Sequence, residues 1–227
     1  MQVEVHYRPS YSMAEVALDA GEGLNAESGA MVAMSPGVQV ETKMRGGLMK
    51  SLARSMLGGE SFFMNTYRAS DRSGVVMLAP SLPGDIFSED MSGGSLLVQS
   101  GSYLGSSEGV EVSTKWGGAK TFFASEGLIM LRCSGNGKLI LSSYGAIHRL
   151  ELEAGQSITV DTGHLVAFSE QMHYNVRRVG GLKSTLLSGE GLVVDFQGPG
   201  QVLLQTRSED SFLAWLLPKL PKQSSSS

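Results

Sequence analysis

The chain has 227 residues, 41% of them hydrophobic and 18% charged, a balance that folds around apolar cores instead of staying disordered. Its net charge of −4 supplies no overall basic surface, which argues against a dedicated nucleic-acid binder. One cysteine cannot make an internal disulfide, and no stretch reaches the roughly 18 apolar residues of a membrane-spanning helix.

Met1 to His6 alternates as a strand does and lacks the basic start and apolar stretch of a signal peptide, so the expected location is the cytoplasm. Glu27-Ser28-Gly29 then opens a short signature: an acidic or amide residue, Ser or Thr, and Gly. Val38, Val40, Thr42 and Met44 alternate with Gln39, Glu41 and Lys43, predicting a half-buried strand that Gly46-Gly47 ends. Between this diglycine and Gly58-Gly59, residues 48–57 place Leu48, Leu52 and Met56 on one helical stripe, with Lys50, Ser51 and Arg54 turned away. This short inserted helix reads as a plug for one end of the core, or as a contact for a partner or membrane through Lys50 and Arg54. Glu60 then precedes the apolar Phe62-Phe63-Met64.

The same order of signatures returns twice. Gln99-Ser100-Gly101 is followed by the alternating Val110, Val112, Thr114 and Trp116, by Gly117-Gly118, and by Glu126 before Leu128 to Leu131. Asp161-Thr162-Gly163 is followed by Met172, Tyr174 and Val176, by Gly180-Gly181, and by Glu190 before Leu192 to Val194. First signature to diglycine spans 19, 18 and 19 residues, and diglycine to Glu spans 14, 9 and 10. This near-constant spacing predicts an all-β protein of three tandem repeats. Turns at Ser134 to Gly137 and at Gly198 to Gly200 each lead into one more strand. A unit of about 60 residues has little core of its own. The three are therefore expected to pack together, each a small sandwich or short barrel, around a pseudo-threefold axis. The boundaries are repeat 1 over residues 1–85, repeat 2 over 86–146 and repeat 3 over 147–207. Residues 208–227 are expected to form a C-terminal helix, capped by Ser208, running through Phe212, Leu213, Trp215, Leu216 and Leu217 and stopped by Pro218, followed by a polar tail.

Candidate sites compete with structural roles. Glu60, Glu126 and Glu190 would bind a metal, or raise one another's pKa, if they met near the axis; the alternative is that each accepts backbone N–H groups in its own turn. Glu27, Gln99 and Asp161 include an amide, so a turn or cap role suits all three better than shared carboxylate chemistry. His6, His148, His164 and His173 are scattered without ligand spacing, and Cys133 lies in an apolar run that suits a buried thiol. No nucleophile–base motif or phosphate loop occurs, so no catalytic residue, metal or cofactor is assigned. Arg177, Arg178 and Lys183 are the best basic cluster. Trp215 joins Lys50 and Arg54 as a candidate partner contact.

Four stretches, Leu78 to Asp85, Ser143 to Ala146, Val160 to Phe168 and Phe196 to Arg207, resemble the altered-inheritance-of-mitochondria family, which is related to a mitochondrial biogenesis factor. The resemblance runs from about residue 10 to 215. It implies a unit like the tryptophan RNA-binding attenuation protein, a short double-stranded β-helix repeated three times, and ring-like self-assembly. It brings no catalytic mechanism, and the mitochondrial role carries over only as an analogy of fold. The leading expectation is a non-enzymatic oligomeric binding or scaffold protein with an unidentified protein partner. The alternatives are an RNA- or small-ligand-binding protein and a metal-dependent enzyme using the repeated carboxylates.

Overall fold

The computed structural model describes residues 1–41, 64–113, 129–179 and 192–221. The inserted helix expected over 48–57, the three glutamates Glu60, Glu126 and Glu190, all three diglycines, and Lys50, Arg54 and Lys183 lie outside these residues.

The described chain is predominantly β. In the first third the strands are β1 (Gln2–His6), β2 (Met13–Leu18), β3 (Gly23–Glu27), β4 (Met31–Met34), β5 (Val38–Glu41), β6 (Met64–Ala69) and β7 (Gly74–Leu78). In the middle they are β8 (Ile86–Gln99), β9 (Tyr103–Ser107), β10 (Val110–Ser113) and β11 (Met130–Ser142). The last third holds β12 (Ile147–Leu152), β13 (Ser157–Asp161), β14 (Leu165–Ser169), β15 (His173–Arg178), β16 (Leu192–Gln197) and β17 (Gly200–Gln205), then helix α1 (Glu209–Leu216).

Period-two alternation decides which side chains go inside. On β2, Ala14, Val16 and Leu18 are buried, while the side chains between them point away. On β10, Val110 and Val112 are buried and Glu111 is exposed, as the alternation predicts. On β5, Val38 is buried and Gln39 exposed as the alternation predicts, but Val40 is 41% exposed; among the described residues β5 is the last strand of its sheet. The uninterrupted run Leu192-Val193-Val194 is buried throughout, as a strand covered on both faces requires.

The antiparallel pairings follow one scheme in each third. In the first, β7 lies between β2 and β4, and β6 between β3 and β5. In the last, β17 lies between β12 and β14, and β16 between β13 and β15. In the middle, two long strands each serve two layers. The 137–142 half of β11 pairs with the start of β8 and with β9, and the 130–134 half pairs with the end of β8 and with β10. The bend falls at an irregularity between Ser134 and Asn136, where Gly135 takes a φ of 113° that a side chain would resist.

Two further ladders, β3 with β9 and β8 with β14, join the thirds into one ten-stranded sheet. A four-stranded sheet, β1-β2-β7-β4, and a three-stranded sheet, β13-β16-β15, complete the layers. Among the described residues the ten-stranded sheet runs from β12 to β5 without closing on itself, so open sheets take the place of the barrel alternative: no ladder joins its two end strands.

Three apolar cores lie between the layers. The first gathers Val16, Leu18, Leu24, Tyr67, Val76 and Leu78; the second Val98, Tyr103, Leu131, Cys133 and Leu139. The third is aromatic: Phe168 meets Phe196 at 4.8 Å and Tyr174 at 4.9 Å between ring centroids. Cys133 is fully buried, which pushes its thiol up to about 12 and leaves it unreactive.

Candidate functional site

One cleft draws on all three thirds of the chain. Its first wall is made where β3, β8 and β13 end. Gln99 and Asp161 leave their strands with nearly the same backbone angles and each leads into a single 3-10 turn, Ser100–Ser102 and Thr162–His164. The Asp161 carboxylate accepts the Gly163 N–H at 2.7 Å, and the Gln99 side-chain oxygen accepts the Ser102 hydroxyl at 3.3 Å. Both side chains therefore shape a turn, the role their sequence signature suggests. The Glu27 carbonyl accepts the Ala30 N–H at 3.2 Å in the corresponding turn after β3.

The opposite wall is made where β7, β11 and β17 end. Pro80, Ser81 and Leu82 contribute from the first, Ser142, Ser143 and Tyr144 from the second, and Gln205 with the start of α1 from the third. Gln205 ties the walls together. Its side-chain oxygen accepts the Tyr144 N–H at 2.9 Å, and its amide nitrogen donates to the Gly163 carbonyl at 2.9 Å. The His164 Nδ1 lies 2.8 Å from the Gln205 carbonyl, so this histidine is held to the frame.

The cleft encloses about 380 Å³. Its described lining offers carboxyl groups (Glu27, Glu209, Asp210), serine hydroxyls, backbone amides and the apolar Ile129, Leu192 and Leu213. No Cys, His, Lys or Arg is among these lining residues. The chemistry available on the described walls is hydrogen bonding and apolar contact, without a base positioned on a nucleophile.

Helix α1 starts as the sequence indicates. Ser208 Oγ accepts the Ser211 N–H at 3.4 Å, and Glu209 and Asp210 occupy the first turn, where the helix dipole favours them. The helix ends at Leu216, and Pro218 sits within a following 3-10 turn, Leu217–Lys219. Phe212 packs edge-on against Tyr144, with 6.1 Å between ring centroids, which docks the helix on the core. Trp215 stays 60% exposed, with the Lys219 ammonium 5.2 Å over its ring.

The remaining candidates do not converge. Arg177 is committed to Asp195 by hydrogen bonds of 2.6 and 3.0 Å, and Arg178 lies beside it at the end of β15. His6 faces Glu15 at 3.2 Å, whereas His148 and His173 lie on β12 and β15 in different sheets. Among the described residues no three His, Cys, Asp or Glu side chains are grouped to hold a metal.

One buried charge escaped the reading of candidate sites. Asp85, 2% exposed, receives two guanidinium hydrogen bonds from Arg8 at 2.8 Å, the Ser12 hydroxyl at 3.1 Å and the Ile86 N–H at 2.8 Å. Burial alone would raise its pKa, but Arg8 and these donors outweigh burial and hold the carboxyl below its usual range. Its only sequence signal was its place at the end of the Leu78 to Asp85 stretch. Beside it, Gly84 bridges Gly145, and a Cβ on Gly84 would lie 1.6 Å from the Ser143 carbonyl oxygen. The pair seals the passage from the first third to the second.

The comparisons with known proteins agree with this architecture. An uncharacterised protein of Streptococcus pyogenes serotype M6 is 29% identical over 233 residues, covering 99% of this chain and 93% of its own length. A crystal structure of a Streptococcus pyogenes protein from a structural genomics programme superimposes with a TM-score of 0.81 at 26% identity, covering 96% of this chain and 99% of that one. Residues 3–207 match the family described as mitochondrial biogenesis AIM24, and the chain belongs to that family.

Proposed function

We propose that the chain is a non-enzymatic, oligomeric binding or scaffold protein, built from three copies of one six-strand unit and working in the cytoplasm. The observation that carries this reading is where large apolar side chains meet solvent. Met31, Val32 and Met34 are exposed on β4, and Leu213, Trp215, Leu217 and Leu220 are exposed at the C-terminus. Scattered exposed apolar residues are ordinary, but contiguous runs mark surfaces that associate. The turn-shaping roles of Gln99 and Asp161 support it too, since repeated residues that serve the backbone leave recognition to the surface. Light scattering on the full chain from 1 to 100 µM is the test. Association predicts a mass above the 24.1 kDa of one chain, and a single-chain mass throughout would sink the reading.

A small-ligand reading has one observation in its favour, the cleft of about 380 Å³. Gly101 lines it with open space where a Cβ would stand, so Gly101→Leu would partly fill it. A compound that raises the melting temperature of the native chain but not of that variant would support this reading; a screen without such a compound would count against it. The nucleic-acid reading is weakened by the engagement of Arg177 with Asp195.

A further inference from the structure

Aligned by their ladders, the three thirds leave two strand edges over, and the two are complementary. Met31, Tyr103 and Leu165 begin β4, β9 and β14, and each ladder skips the next residue: Val32, Leu104 and Val166. Glu27, Gln99 and Asp161 likewise end the three strands that precede them. On this alignment the two seams between thirds share one register. The first sets Ala26 opposite Gly105, Asn25 opposite Ser106 and Leu24 opposite Ser107. The second sets Val98 opposite Ala167, Leu97 opposite Phe168 and Leu96 opposite Ser169.

The unit that would continue this series is missing at both ends. β4 is the counterpart of β9 and β14, yet it is the outer strand of its sheet; β13 is the counterpart of β3 and the end of β8, and is likewise an outer strand. Neither has a ladder on its open side among the described residues. The side chains record the gap. Tyr103, Leu104, Leu165, Val166 and Phe168 are fully buried, whereas Val32 at the matching position is 57% exposed and Met31 and Met34 are exposed with it.

We propose that β4 of one molecule pairs with β13 of a second copy of this chain, in the register of the two internal seams. Val160 then lies opposite Ala33, Thr159 opposite Met34 and Ile158 opposite Ser35 of the next molecule. The product is a continuous sheet, β15-β16-β13 followed by β4-β7-β2-β1. It repeats the internal sheets β5-β6-β3-β9-β11-β8 and β10-β11-β8-β14-β17-β12. A second copy fits better than a foreign strand because one contact satisfies both leftover edges. Unpaired edges are templates for a further strand. Since the edges differ, the contact is head-to-tail, which closes into a ring or continues as a chain. This inference rests on the oligomeric reading above and specifies its interface.

The test uses five variants of the full chain, four single and one carrying both cysteines. Met34→Lys blocks one edge and Thr159→Lys the other. Each alone should be a single chain by light scattering, and an equimolar mixture should form heterodimers through the intact edge each retains. Met34→Cys and Thr159→Cys, mixed and mildly oxidised, should give a disulfide-linked dimer that neither gives alone, since facing residues lie within disulfide reach and Cys133 is buried. Circular dichroism and melting check that the lysine variants fold; should they not, the cysteine pair decides alone. A native oligomer that survives both lysines, or a mixture without the cross-link, overturns the interface while the oligomeric reading stands. A single-chain native protein overturns both, and a cross-link formed within one chain carrying both cysteines would show closure of the molecule on itself.

Discussion

β4 and β9 hold the same place beside β7 and β11, yet one faces solvent and the other is sealed. Composition predicts the reverse. Met31-Val-Ala-Met34 is wholly apolar, whereas Tyr103-Leu-Gly-Ser106 carries two hydroxyls. The Tyr103 and Ser106 hydroxyls manage burial by pairing with each other at 2.9 Å. What separates the strands is the neighbour across the seam: β3 covers β9, and no described strand covers β4. Burial here is a property of the pairing, and the strand's own hydrophobicity only makes it available.

The largest expected effect breaks or confirms that contrast. Leu104→Ala opens a cavity in a filled core and should cost about 2–5 kcal/mol in chemical denaturation. Val32→Ala, at the matching position, should shift the dilute chain by less than about 0.5 kcal/mol. Equal effects would mean that β4 is covered in solution.

A smaller effect concerns the passage between the first two thirds. Asp85→Ala removes the acceptor of four hydrogen-bond donors and should cost about 1–3 kcal/mol, moderated because the Arg8 end is exposed and screened. Its pH dependence has a definite sign. The folded pKa of Asp85 is depressed, so its contribution is present above the unfolded carboxylate value of about 4. It fades as pH falls through the lower folded value. The gap in stability between native protein and Asp85→Asn should therefore hold at neutral pH and narrow below about pH 4. A gap that widened in acid would refute the assignment.

The smallest effect separates the two faces of α1. Phe212→Ala removes the ring docked on Tyr144 and should lower the melting temperature measurably, whereas Trp215→Ala, which removes an exposed ring, should leave it nearly unchanged. If Trp215 meets a partner or a second copy, its loss should appear in the mass of the assembly instead.

Much of the architecture was legible in local pattern. The alternation around Val110 and Val112, the uninterrupted apolar run at Leu192, and the caps at Asp161 and Ser208 depend on residues a few positions apart, and each forms as read. The cleft was half legible. The signatures at Glu27, Gln99 and Asp161 mark one wall, but the other depends on Gln205 reaching both Tyr144 and Gly163, the first of them 61 residues distant. The Arg8–Asp85 pair was hidden for the same reason, its partners lying 77 positions apart.

The sequence alone determined where the chain turns and, on strands such as β10 and β16, which side chains face inward, because strand periodicity and turn chemistry are set by adjacent residues. Only the tertiary structure decided which strands are covered, which carboxylate is buried beside an arginine, and which two edges remain open. Those outcomes depend on ladders between distant segments, and a strand carries no local record of what lies across its seam.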